Sequence, residues 1–435
     1  MTNTGNQLSN SGGAATTWYH SRWAQLVIGI ICMAMIANLQ YSWTLFVNPM
    51  SAAHHWSRAE IQVAFSIFVL TETWLVPVEG WLVDKFGPRP VVMMGGVLVA
   101  LGWILNSMVD SLPLLYFAAV LTGVGAGCVY GAAVGNALKL FPDKRGLAAG
   151  LTAAGFGSGA ALTVIPIAHM IHDSGYQSAF FNFALIQGIS ICVLGLFLIK
   201  PVIPAGLKIP VRTIQAKHDT GTAEMLKTPL FWVIYVVFVA VAAGGLMATA
   251  QLGPIAKDYN IATTPIAFFG ATLPLLTLTL SIDNLANGFT RPLCGFISDR
   301  IGRETTMLLV FVGEGLALFG LKAYGHTVGG FMLFAPMVFL FWGEIFSIFP
   351  SICADTFGAK FATANAGALY TAKGTASLLV PLASVLAKSH DWNSVFLIAA
   401  SLSIGAGLVS MFVLKPMRER WIGQSAAPRA AAATA

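Results

Sequence analysis

Twelve apolar runs of roughly 20 residues, almost free of charge and separated by short polar connections, constrain this chain more than anything else in it. About 20 residues at a rise of about 1.5 Å each cross about 30 Å of hydrocarbon. In lipid the backbone polar groups of such a run must be satisfied within it, which selects the α-helix. The runs place helices at approximately 23–48, 60–83, 90–108, 113–138, 146–170, 178–199, 230–255, 272–297, 304–324, 328–353, 362–387 and 392–414. With 56% hydrophobic and only 10% charged residues, the chain lies outside the soluble range, so its solvent is lipid.

Placing both termini in the cytoplasm puts 18 of the 24 Lys and Arg on the cytoplasmic side, as the positive-inside rule demands. Arg58, Lys257, Lys322 and Lys388 fall outside, and Arg291 and Lys373 fall within spans. The net charge of +6 is spread between apolar runs rather than gathered on one face, which argues against nucleic acid as a partner. Cys32, Cys128, Cys192, Cys294 and Cys353 lie singly inside apolar segments, without the spacing of a metal site, and no cofactor is expected. Residues 1–22 read as a disordered cytoplasmic tail and 415–435 as a second one, Ala-rich and mobile from Gly423.

The connection at 201–229 is the longest and most polar, and it divides a six-helix bundle at 23–200 from another at 230–414. The expected fold is therefore an all-α integral membrane protein with twelve transmembrane helices in two six-helix bundles. An internal repeat supports the division. Gly80-Trp-Leu-Val-Asp84-Lys85-Phe-Gly87-Pro-Arg89 follows the second helix, and Gly295-Phe-Ile-Ser-Asp299-Arg300-Ile-Gly302-Arg303 follows the eighth, offset by 215 residues. Glycine permits close helix approach, Asp can cap or attract a helix N-terminus, and the basic residues hold a short loop at the cytoplasmic surface. One copy would pass for an ordinary charged turn. Two copies at matching places resemble the signature of the major facilitator superfamily, which implies its fold.

A cation at mid-bilayer costs at least about 2.5–3.5 kcal/mol on insertion scales, so Arg291 and Lys373 are functional candidates. They lie about 12 Å and about 16 Å from the cytoplasmic ends of helices 8 and 11 by helical rise. These helices are equivalent elements of the second bundle, and the two cations are expected to face one another across a central cavity, where an anion with two negative ends would relieve their repulsion. Alternatively each is paired with a buried acid from among Glu72, Glu79, Asp283, Glu314 and Glu344. Glu344 is the acid placed best to neutralise Lys373 or to carry a proton. Gln40, Tyr41, Gln62, Tyr130, Trp342 and Tyr370 suggest a cavity wall, although each taken singly also suits packing. Gly127, Gly131 and Gly135, with Gly146, Gly150, Gly155 and Gly159, form small-residue faces for close helix contact.

Several stretches resemble the oxalate/formate antiporter family more narrowly: Gln40-Tyr-Ser-Trp-Thr-Leu45, Phe141-Pro-Asp-Lys-Arg-Gly146, Asn287-Gly-Phe-Thr-Arg291-Pro292 and Ala372-Lys373-Gly-Thr-Ala-Ser377. The likeness runs from about residue 20 to 415. It implies that Arg291 and Lys373 bind the two substrate carboxylates inside an aromatic cage matched by Gln40, Tyr41, Gln62, Tyr130 and Trp342. Phe156 and Phe346 stand where that family has Tyr, Tyr370 where it has Trp, and Glu344 where it has a small residue.

The function expected is exchange of small carboxylates, oxalate for formate, by a monomer in a bacterial inner membrane. A carrier with two facing cations and no anion would resist closure, which favours exchange over uniport. A proton-coupled monocarboxylate symporter is the alternative. A membrane-embedded enzyme would need a nucleophile and base or a metal cluster, and the eight His lie mainly in tails, loops or span ends. A sensor would need an output domain larger than the central loop.

Overall fold

The computed structural model describes residues 18–141, 145–200, 219–358, 361–387 and 392–426. The expected tails before residue 18 and beyond 426, and most of the central loop, lie outside them. In the first half, α1 (Arg22–Tyr41) and α2 (Trp43–His54) make the first span, and α3 (Arg58–Trp74) and α4 (Val76–Phe86) the second. Next come α5 (Pro88–Ser107) and α6 (Leu112–Leu140), then α7 (Arg145–Ser158) and α8 (Ala160–Leu196). The second half runs from a short α9 (Thr222–Met225) into α10 (Pro229–Asp258), a hairpin of β1 (Pro265–Phe268) and β2 (Ala271–Pro274), α11 (Leu275–Ile301) and α12 (Arg303–Tyr324). The tenth span is α13 (Val328–Trp342) with α14 (Ile345–Phe357), and the eleventh is α15 (Ala362–Ser377) with α16 (Val380–Leu386). The last, α17 (Asn393–Val409), continues through a π-helical turn at Ser410–Leu414 into α18 (Lys415–Ala426).

Among the described residues nine helical segments are long and apolar enough to cross a bilayer, and ten if α3 and the start of α4, bent by 44°, count as one. The segment Gly150–Leu196 is 47 residues long. At about 1.5 Å per residue that is about 70 Å, two crossings rather than one, and they divide at Gly175, whose φ of 83° breaks the helix. α11 has the length but carries Asp283, Arg291, Asp299 and Arg300, which lower its hydropathy, while Leu285, Phe289 and Phe296 give it an exposed apolar face. Twelve spans result among the described residues. Among the boundaries that differ from expectation, the first span runs on to His54, the eighth helix starts at Leu275 because residues 265–274 form the hairpin, and the last helix runs on into the expected tail.

Local chemistry sets the helix starts. Ser57 and Glu60 form a reciprocal capping box on α3, and Thr228 and Thr327 accept from the first turns of α10 and α13. Gly87 and Gly302 turn the two repeat loops at φ 86° and 93°, conformations that favour glycine. The repeat extends to side chains, for Lys85 lies over Trp81 and Arg300 over Phe296, each four residues back. Gly80 and Gly295 correct the expectation of close approach, since a Cβ on either would meet nothing within 4 Å. The side chains of Asp84 and Asp299 lie outside those described. Close approach occurs at Gly127, Gly155 and Gly159, where a Cβ would come within 2.8 Å of Glu72, Glu79, Ile30 or Ala34, and not at Gly135.

The halves meet through α7 against α11, α3 against α15 and α16, and α2 against α10. Prolines shape the seam that α3 makes with the second half. Pro254 and Pro381 have no N–H, so the carbonyls of Ala250 and Ser377, four residues back, lose their helical partners. Both acceptors are taken up by α3: Gln62 Nε2 donates to Ala250 O at 2.7 Å and Ser66 Oγ to Ser377 O at 2.5 Å. At the end of the bundle where α3 begins, Arg58 makes a two-pronged ion pair with Asp258 at 2.7 and 2.8 Å, and Trp392 donates to the same carboxylate.

Candidate functional site

Six aromatic rings form a closed circuit between the halves. Tyr41 of α1 lies 5.6 Å from Phe156 of α7, Phe156 lies 5.7 Å from Tyr130 of α6, and Tyr130 stacks on Tyr370 of α15 at 5.3 Å. Tyr370 continues to Phe346 of α14 at 6.2 Å, Phe346 to Trp342 of α13 at 5.5 Å, and Trp342 returns to Tyr41 at 6.5 Å. Trp342 fits because Gly245 faces it; a Cβ there would run into the indole ring.

Both intramembrane cations are set in this circuit, and neither is exposed at all. The Arg291 guanidinium lies 4.3 Å from the Phe346 centroid, and Lys373 Nζ lies 5.5 Å from the same centroid and 5.3 Å from that of Phe156. Ring quadrupoles attract cations at such distances. One phenylalanine thus lies against two positive charges, carried by α11 and α15.

Their partners differ. Arg291 donates to Ala153 O at 2.8 Å, Asn287 Oδ1 at 2.9 Å and Tyr41 Oη at 3.1 Å, and its Nε has no partner among the described residues. All three acceptors are neutral. α7 supplies the carbonyl and comes close because residue 157 is glycine: a Cβ there would lie 2.8 Å from Arg291 Nε and 2.9 Å from Asn287 Oδ1. Lys373 donates to Glu72 Oε2 of α3 at 2.9 Å and more distantly to Tyr370 Oη at 3.4 Å. The expectation of two unpaired cations is corrected here. Lys373 is neutralised, and by Glu72 rather than Glu344, because α3 packs directly against α15.

Of the remaining expected site residues, Gln40 is buried beside Tyr41, and its amide has no partner among the described residues. Gln62 stands apart from the rings, occupied with Ala250, Gln251 and the indole N–H of Trp43. Glu344 sits between α13 and α14, fully buried, with neither oxygen hydrogen-bonded among the described residues. Asn287, Ala153 and Gly157 were not anticipated. Asn287 could have been, since it lies one turn before Arg291 on the same helical face. A main-chain carbonyl leaves no mark in a sequence. Among the described residues no three His, Cys, Asp or Glu gather as metal ligands would.

Residues 26–381 and 263–434 match the sequence profile of the Major Facilitator Superfamily. The chain is 38% identical to the oxalate:formate antiporter of Oxalobacter formigenes, over 93% of its own length and 94% of the relative's. The chain belongs to the major facilitator superfamily. An uncharacterized MFS-type transporter of Escherichia coli, YhjX, is 26% identical over 83% of the chain and 87% of its own length. Human monocarboxylate transporter 11 is 23% identical over 82% and 76%. Membership makes this a membrane transporter rather than an enzyme, and it accounts for the paired loops after the second and eighth helices.

Proposed function

We propose that the protein exchanges small carboxylates across a bacterial inner membrane by alternating access, taking oxalate against formate, with both termini in the cytoplasm. The bundles at 23–200 and 230–414 rock about the aromatic circuit. The observation that carries this reading is the placement of Arg291 and Lys373 against one ring, Phe346, both fully buried among aromatic side chains. A planar guanidinium suits a carboxylate bidentately, and an ammonium adds a point charge for a second one. A dicarboxylate of two or three carbons spans such a site. The likeness to an oxalate:formate antiporter along almost the whole chain supports the choice of substrates.

Gln40, Tyr41, Tyr130, Phe156, Trp342, Phe346 and Tyr370 line the substrate in this reading, and Gln62 latches the halves. The test is uptake of labelled oxalate into liposomes preloaded with oxalate, formate or buffer, with lactate and malonate as competitors. Uptake that needs an internal anion and is lost in Arg291→Gln supports exchange. Glu344, a carboxyl without a hydrogen bond among the described residues, favours a second reading, proton-coupled monocarboxylate symport. Lactate entry driven by external acid, with no need of internal anion, would select it.

A further inference from the structure

Arg291 has donors only, so whatever bonds to it must present an acceptor, and this fixes the orientation of the Asn287 amide. Asn287 Oδ1 accepts from Arg291 Nη2 at 2.9 Å and from Tyr41 Oη at 3.2 Å, while Tyr41 Oη accepts from the same Nη2 at 3.1 Å. The three groups close a ring of hydrogen bonds in which the phenol donates once and accepts once. At its other end the amide donates from Nδ2 to Phe339 O of α13 at 3.4 Å. One side chain, wholly buried, thus ties the guanidinium of α11 to α1 in the first half and to α13 in its own.

Glycines wall both ends of that side chain. A Cβ at Gly157 of α7 would lie 2.9 Å from Asn287 Oδ1, and one at Gly343, between α13 and α14, would lie 3.0 Å from Asn287 Nδ2. Between these walls Asp has the same shape as Asn and would keep the bonds from Arg291 and Tyr41. It differs in charge, and its second oxygen would face Phe339 O with no hydrogen between them. The choice of residue at 287 therefore separates holding Arg291 from neutralising it.

We propose that Asn287 is the positioning residue for the substrate anchor: its neutral amide holds Arg291 in place across the two halves without cancelling the positive charge to which an anion binds. The proposal rests on the carboxylate-exchange reading and adds to it the residue that keeps the anchor charged. Asn287 acts through Arg291 and not by touching substrate. A carboxylate here would be a permanent counter-ion, which a substrate carboxylate would have to displace from a buried site where charge interactions are strong. An amide competes only as a dipole. Among the described residues no carboxylate is hydrogen-bonded to Arg291, so the substrate meets a charge that its bonded neighbours have left free.

The test compares substitutions by the KM of oxalate exchange in liposomes and by thermal unfolding of the purified protein in detergent. Asn287→Asp keeps the shape and the acceptor but supplies a counter-charge, and its KM should rise at least about thirtyfold. Asn287→Ala removes the acceptor but leaves the charge, and its KM should rise about threefold to tenfold. Stability should run the other way, with Asn287→Asp unfolding at a higher temperature than Asn287→Ala because its ion pair with Arg291 is intact. A residue that serves packing alone gives one order in both measurements, with Asp the milder change, and that result overturns the proposal. Asn287→Ser, which returns a neutral acceptor, should lie between Asn287→Ala and wild type in KM. A KM no better than that of Asn287→Ala overturns the positioning role even where Asn287→Asp does not fold. Absence of exchange of any carboxylate by the wild type overturns the underlying reading instead.

Discussion

Arg291 and Lys373 lie against the same phenylalanine ring, and the protein meets the cost of burying them in opposite ways. Arg291 is surrounded by neutral acceptors, a carbonyl, an amide and a phenol, which replace water but not charge. Lys373 has a carboxylate. A guanidinium spreads its charge over a plane with five donors, so dipoles can satisfy it, whereas a compact ammonium is costlier to bury without a counter-ion. The difference leaves Arg291 with no carboxylate hydrogen-bonded to it among the described residues, while the charge of Lys373 is balanced by Glu72.

The largest effect that can break this comparison is at Arg291. Arg291→Gln removes the uncompensated charge and should lower oxalate exchange by at least about a hundredfold, on the scale of losing a buried charged hydrogen bond of about 2–5 kcal/mol. Exchange within tenfold of wild type would mean that the charge is not the anchor. Next comes stability: Lys373→Gln leaves Glu72 buried and unpaired at a cost of about 3–5 kcal/mol, and adding Glu72→Gln should return most of it. Thermal unfolding in detergent reads this out, and no second substitution of an acid should rescue Arg291→Gln, because among the described residues no acid is hydrogen-bonded to Arg291.

Gly157→Ala sharpens the comparison by disturbing one cation only. Its methyl group would press on Arg291 Nε and Asn287, and exchange should fall about tenfold, while Gly135→Ala, with open space around it, should be neutral. The smallest effect is expected for Tyr41→Phe, which removes one neutral acceptor worth about 0.5–1.5 kcal/mol and should weaken substrate binding about threefold to tenfold. A Tyr41→Phe loss as large as that of Arg291→Gln would give the phenol a direct part in holding substrate.

The two cations stand out in the sequence because a charge inside an apolar run has few excuses, Tyr41, Tyr130, Trp342 and Tyr370 because they fall at intramembrane positions, and Phe156 and Phe346 only through the family resemblance. Glu72 was not singled out from five intramembrane acids, since choosing among them requires the rotation of the second helix against the eleventh. Gln62 looked like a cage residue because its depth is right; its duty to Ala250 becomes visible only when Pro254 and α3 are seen together. The hairpin at 265–274 is not legible in the sequence: its last residues, 272–274, fall in the expected eighth span, and 265–271 read as a connection. The end of that span was plain, marked by the second copy of the repeated loop.

The proline-released carbonyls of Ala250 and Ser377 have a further consequence for how the bundle parts. Ordinary helix contacts bury carbonyls that are already satisfied, so separating them exposes little that wants water. Here the acceptors on one half depend wholly on donors from the other, and when Gln62 and Ser66 withdraw they must be hydrated at once. Parting of this seam and its wetting are thus one event. A dry intermediate is the costly state, and the seam is bistable, either latched or flooded.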